Sequence, residues 1–101
     1  MDTYIIQGMT IDTIALAICT YKRPELLQKC LESIQKAKTS ENFIVSIYVI
    51  DNDADKSAKH ITEKDYNLDI IHIYEPEKGI PHARNKALSV CLEHDYLIFI
   101  D

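Results

Sequence analysis

Long apolar runs that stop at polar residues, alternating with stripes of helical period, constrain this chain more than any other feature. Ile14–Cys19 reads IALAIC, Phe43–Ile50 reads FIVSIYVI, and Tyr96–Ile100 reads YLIFI and is followed by Asp101. A continuous apolar run is what a strand covered on both faces requires. A weaker run, Leu68–Tyr74, alternates less cleanly and supplies one more strand. Between the first two runs, TYKRP makes a turn and Pro24 opens a helix, where its missing N–H costs nothing. Leu26, Leu27, Cys30, Leu31, Ile34 and Ala37 then fall on one helical stripe. Residues 39–42 form a loop, residues 55–65 a short polar helix, and Glu75–Gly79 a second loop. Pro81 opens a last helix with the stripe Ile80, Ala83, Ala87, Leu88, Cys91 and Leu92, closed at His94–Asp95. The order β-α-β-α-β-α-β implies an α/β fold with a parallel sheet and right-handed crossovers. Residues 1–11 are a lead, partly extended at Tyr4–Ile6.

A chain of 101 residues is one small domain at most. Its hydrophobic content of 47%, with only three Pro and two Gly, supports a packed core rather than disorder. A net charge of −5 argues against nucleic acid, which needs a basic surface. A small anionic ligand stays open, provided that local cations or a metal meet its charge. The three cysteines, Cys19, Cys30 and Cys91, are odd in number, form no CxxC and sit in apolar patterns. They read as reduced, buried and structural in a cytosolic setting. His60, His72, His82 and His94 lack metal-ligand spacing and read as structural or exposed. The first ten residues have neither the basic region nor the apolar core of a signal peptide. No run approaches the ~18 apolar residues of a membrane span.

A parallel sheet puts all strand C-terminal ends on one side. That side collects Thr20 and Tyr21, Asp51 and Asp53, Glu75 and Glu77, and Asp101, together with the helix starts at Pro24 and Pro81. Strands also end in polar residues simply because loops are wet. The sheet therefore says where a site would lie, not that one exists. With only Gly8 and Gly79 available, neither GxGxxG nor a P-loop can form, which removes dinucleotide dehydrogenases and P-loop NTPases. Arg84 near the start of the last helix opposes the helix dipole, so an anion should come to it, either Glu75 or Glu77 or a ligand. Asn85 beside it is a poor helix former.

Four segments then resemble the family 2 glycosyltransferases. AICTYKRPELLQKCLESI (17–34) looks like their opening strand, Thr-Tyr-x-Arg-Pro turn and helix. YVIDND (48–53) looks like their second strand, which ends in acids. EKGIPHARNKAL (77–88) resembles their Gly-x-x-x-Ala-Arg-Asn segment, and YLIFID (96–101) the strand leading into a DxD metal motif. The resemblance spans about residues 12–101. It implies a Rossmann-like three-layer α/β/α half-domain of GT-A type, with a mostly parallel four-stranded sheet in the order 3-2-1-4. It implies a nucleotide-diphospho-sugar donor, UDP-linked in expectation, and inverting transfer to a glycan or lipid-linked acceptor in cell-surface polysaccharide or lipopolysaccharide synthesis. Thr20, Tyr21, Arg23, Asp51, Asp53, Gly79, Arg84 and Asn85 would bind the nucleotide, with Asp51 accepting a hydrogen bond from the base. Asp101 would be the first acid of an incomplete DxD motif holding a divalent metal, Mn²⁺ or Mg²⁺.

The acids here read Asp51–Asn52–Asp53, which leaves open which one faces the base. The catalytic base and the acceptor half fall outside the matched motifs, so the chain reads as an N-terminal fragment with no catalytic residue of its own. Its expected location is cytoplasmic, peripheral to the cytoplasmic face of a membrane in the longer protein. An apolar YLIFI edge would be open to pairing with a second copy. A non-catalytic flavodoxin- or receiver-like interaction module is the alternative. A receiver carries an acidic pair after its first strand and a flavodoxin a phosphate loop there, and CTYKRP is neither.

Overall fold

A computed structural model of the chain describes residues 12–37 and 42–100. The elements run β1 (Asp12–Thr20), α1 (Pro24–Lys36), β2 (Phe43–Asp51), α2 (Lys59–Thr62), β3 (Ile70–Tyr74), α3 (Ile80–Val90) and β4 (Tyr96–Ile100). The lead at 1–11, most of the 39–42 loop and Asp101 lie outside the described residues.

The four strands form one sheet in the order β3-β2-β1-β4, and every pair is parallel. Thr20 is level with Asp51, and Asp51 with Tyr74, so three strands end on one line. Successive side chains of a strand point to opposite faces. On one face Ile18, Ile47 and Val49 pack with Leu27 and Leu31 of α1 and Ile61 of α2. On the other, Ala17 and Ile50 pack with Ala83 and Ala87 of α3. Small residues on both sides of that second layer bring α3 close to the sheet.

Several expectations change with packing. The polar helix expected over 55–65 is only the four residues of α2, because turns occupy the segment before it. The stripes of α1 and α3 are periodic but not uniformly covered. Leu26 is 58% exposed and Ile80 67%, because both sit where a helix overhangs the end of the sheet. Leu88 and Leu92 are exposed as well. β4 is not covered on both faces: Tyr96, Ile98 and Phe99 are exposed, and its strand partner among the described residues is β1 alone. All three cysteines are free, but only Cys91 is buried, while Cys19 and Cys30 are half-buried. Burial pushes the Cys30 and Cys91 thiols up, which disfavours the thiolate form. No helix among the described residues is long and apolar enough to cross a membrane.

Candidate functional site

Beyond the end of β1, the starts of α1 and α3 diverge around a cleft of about 640 Å³, within the usual range of small-ligand sites. β1 contributes Ile18, Cys19 and Thr20, and the turn after it Tyr21 and Arg23. α1 contributes Leu26 and Leu27, and α3 contributes Ile80, Ala83 and Arg84. Asn52 closes the side next to β2. Both helices start with a proline in the first turn and turn their N-terminal ends to the cleft, so their dipoles add positive potential there.

The turn that carries Tyr21 and Arg23 is tight. Lys22 sits at φ 51°, in the left-handed region that side chains with a Cβ seldom adopt. This bend lays the Lys22 ammonium 5.4 Å from the centre of the Tyr21 ring. Lys78, from the loop before α3, lies 5.8 Å from the same ring. Arg84 stands with its guanidinium carbon 5.6 Å from the Phe99 ring. The only charged side chains among the lining residues are thus two arginines, with two lysines near Tyr21. No carboxylate lines the cleft among the described residues, although the chain carries net charge −5.

The acids after β2 turn inward instead. Asp51 is fully buried, with Oδ1 accepting from the N–H of Asp53 at 3.1 Å. Its Oδ2 accepts from the N–H of Ala58 at 3.2 Å and lies 2.9 Å from His72 Nε2. Asp53 folds the next turn, accepting from the N–H groups of Asp55 and Ser57. The neighbouring Ser57 hydroxyl, against the effect of desolvation, and then those backbone N–H groups and Lys22 hold the Asp53 carboxyl below the usual carboxylate range. A chain leaving a buried strand has N–H groups that need acceptors, and short acidic side chains supply them locally.

Asn52, between them, has the role that sequence reasoning missed. It is only 6% exposed. Its Nδ2 donates to the carbonyls of Glu75 at 2.9 Å and Glu77 at 2.8 Å, and its Oδ1 accepts from the N–H of Gly79 at 2.9 Å. Glu75 also accepts the Glu77 N–H and lies 3.8 Å from Lys86, while Glu77 lies 3.4 Å from His82. Glu75 and Glu77, the acids considered as partners of Arg84, thus lie beside Lys86 and His82. Because α3 begins at Ile80, Arg84 is in its second turn, where the dipole opposes a cation less than the sequence reading assumed.

Of the residues expected at the site, Thr20, Tyr21, Arg23 and Arg84 come together around the cleft. Gly79 caps α3 behind it at φ 125°, and Asn85 is exposed on the helix, neither of them among the lining residues. Asp51 and Asp53 stabilise the loop rather than face the cleft. Asp101 lies outside the described residues. Among the described residues, no group of three or more His, Cys, Asp or Glu side chains is placed to hold a metal ion. They do not by themselves form the metal site that the resemblance implies.

Comparison with known proteins agrees with this architecture. The family model described as glycosyl transferase family 2 matches residues 15–101. The succinoglycan biosynthesis protein ExoM of Rhizobium meliloti (strain 1021) is 34% identical over 94 residues. That alignment covers 87% of this chain and 29% of the relative. The teichoic acid poly(glycerol phosphate) polymerase of Staphylococcus epidermidis (strain ATCC 35984) is 35% identical over 92 residues, which cover 87% of this chain and 12% of the polymerase. The chain therefore spans less than a third of either curated relative. No solved structure matches it significantly.

Proposed function

The chain belongs to glycosyl transferase family 2, and on that premise we propose that its cleft binds the nucleoside diphosphate part of a nucleotide-sugar donor, UDP-linked, for polysaccharide synthesis. The observation that carries this reading is the charge of the cleft wall. Arg23 and Arg84 line it, no carboxylate among the described residues does, and two helix N-termini face it, in a chain that is acidic overall. Arginine presents a planar fork of donors that suits phosphate oxygens. Leu26 and Ile80, both exposed, supply apolar walls for a base, and Thr20 and Tyr21 supply polar and aromatic contact.

In the reaction proposed for the longer protein, an acceptor hydroxyl attacks the anomeric carbon in line. The new bond forms as the bond to the diphosphate oxygen breaks, the nucleoside diphosphate leaves with the electron pair, and the hydroxyl proton passes to a base supplied by the longer protein. The configuration inverts. Residues 12–101 act as the donor-binding part. They hold the leaving group, and the cations at the cleft offset the charge that develops on it. No catalytic base is assigned within the chain. In this reading Asp101 would help to hold a divalent metal ion, Mn²⁺ or Mg²⁺, which would offset charge on the diphosphate. The acceptor, a glycan or a lipid-linked saccharide, would be bound by other parts of the longer protein at the cytoplasmic face of a membrane.

Calorimetric titration of UDP into the chain and into the double variant Arg23→Ala/Arg84→Ala tests the proposal. Binding by the parent chain and its loss in the folded variant are expected. Equal affinity in both would overturn the reading.

A further inference from the structure

We propose that Asn52 is the positioning residue of the cleft: its carboxamide latches the loop 75–79 to the end of β2 and so sets where α3 begins. Three hydrogen bonds leave one buried side chain for a single loop, to Glu75, Glu77 and Gly79. The residues that follow the loop, Ile80, Ala83 and Arg84, make one wall of the cleft. Lys78, within the loop, reaches the Tyr21 ring on the opposite wall. The latch therefore determines how far apart the two walls stand and where two of the cations point.

The chemistry demands asparagine at this position. Both Nδ2 hydrogens are donated to carbonyl oxygens, and a carboxylate has no hydrogen to give. An aspartate of the same shape would set a negative oxygen against two carbonyls in a nearly dry site, and that repulsion would push the loop, Gly79 included, away from the end of β2. The flanking acids have a different task, since Asp51 and Asp53 satisfy N–H groups of the loop that follows β2. The Asp51–Asn52–Asp53 run thus divides its work: the acids accept within their own loop, and the amide donates across to the next one.

The loop latch is independent of ligand identity, and only its effect on affinity rests on the nucleotide reading above. The test compares Asn52→Asp with the parent chain by amide hydrogen exchange without ligand and by UDP titration in the same samples. Exchange at Gly79 N–H is expected to accelerate about tenfold or more in the variant, with Val49 and Ile50 unchanged, and UDP affinity to fall by a similar factor. Lowering the pH from 7 to 5 protonates the new carboxyl, which faces carbonyls and titrates high. Protection and affinity should then recover in part relative to the parent chain, a response that a loss of packing alone would not give. Glu75, Glu77, His82 and Lys86 are the neighbouring titratable groups, and the parallel pH series on the parent chain subtracts their effect.

Unchanged Gly79 exchange in the variant overturns the latch, and accelerated exchange with unchanged UDP affinity overturns its role in positioning the cleft. Absence of UDP binding in the parent chain, with the Gly79 response intact, overturns the nucleotide reading alone. Should Asn52→Asp not fold at pH 7, the parent chain decides the matter. Slow exchange of both Asn52 Nδ2 hydrogens supports the latch, and free exchange of either contradicts it.

Discussion

The guanidinium carbon of Arg84 lies 5.6 Å from the ring centre of Phe99, so a cation of the cleft wall rests on the side chain of an edge strand. The contact joins α3 to β4, two elements that follow each other in the chain. It helps to orient the guanidinium at the cleft wall.

Removing the ring should therefore weaken binding without abolishing it. Phe99→Leu keeps an apolar side chain and loses the cation–π contact, worth about 0.5–1 kcal/mol at an exposed site. UDP affinity is expected to fall roughly two- to fivefold. Arg84→Ala removes charge-assisted hydrogen bonds worth about 1.5–3 kcal/mol, a loss of roughly ten- to a hundredfold. Calorimetry on both variants gives the order. A larger loss for Phe99→Leu than for Arg84→Ala would contradict the assignment.

Asp51 should behave as a structural residue. Its replacement by Ala strands the buried N–H groups of Asp53 and Ala58 and removes the partner of His72. Each buried group left unpaired costs about 1–3 kcal/mol. Urea denaturation of Asp51→Ala should show a midpoint far below that of the parent chain. An unchanged midpoint with lost UDP binding would return Asp51 to the ligand.

Asp53 predicts an acid limb. Its carboxyl is held below the ordinary value, mainly by Ser57 and by backbone N–H groups. The folded form therefore gains stability above the unfolded pKa of about 3.9 and loses it as pH falls through the lower folded value. Asp53→Asn should flatten the stability profile below about pH 4. A variant whose acid limb matches that of the parent chain would show that Asp53 contributes nothing to it.

Gly79 caps α3 at φ 125°, a conformation open to glycine and strained for other residues. A Cβ there would meet His82 at 3.6 Å, an ordinary contact, so the backbone angle and not crowding sets the cost. Gly79→Ala should destabilise the chain by about 1–3 kcal/mol, read as a lower thermal midpoint. No change would mean that the loop adopts another conformation.

Much of this fold is legible in the sequence, because the signals are strong where burial is complete. IALAIC and FIVSIYVI read as inner strands and form β1 and β2, each paired on both sides, and Pro24 and Pro81 mark helix starts within a residue. The same signals fail at the ends of elements. Periodicity places Leu26 and Ile80 on apolar stripes but cannot say that the sheet stops short of them. YLIFI has the composition of an inner strand, while the burial of β4 depends on what lies beside it. Tyr21, Arg23 and Arg84, which line the cleft, sit in recognisable segments. Whether Asp51 and Asp53 look inward or outward is a matter of side-chain rotation, which spacing does not encode. Asn52 looked like a departure from an acidic pair. The hydrogen count of its amide was the available signal, since only a donor at that position can hold two carbonyls.

The central claim is that the cleft recognises an anionic nucleotide through its cations. Titration of uridine, UMP and UDP into the chain at two salt concentrations tests it most directly. Affinity should rise with each phosphate, and the advantage of UDP over uridine should shrink as salt rises. Equal affinity for uridine and UDP at both salt concentrations, or no binding of UDP by the folded chain, would contradict the account.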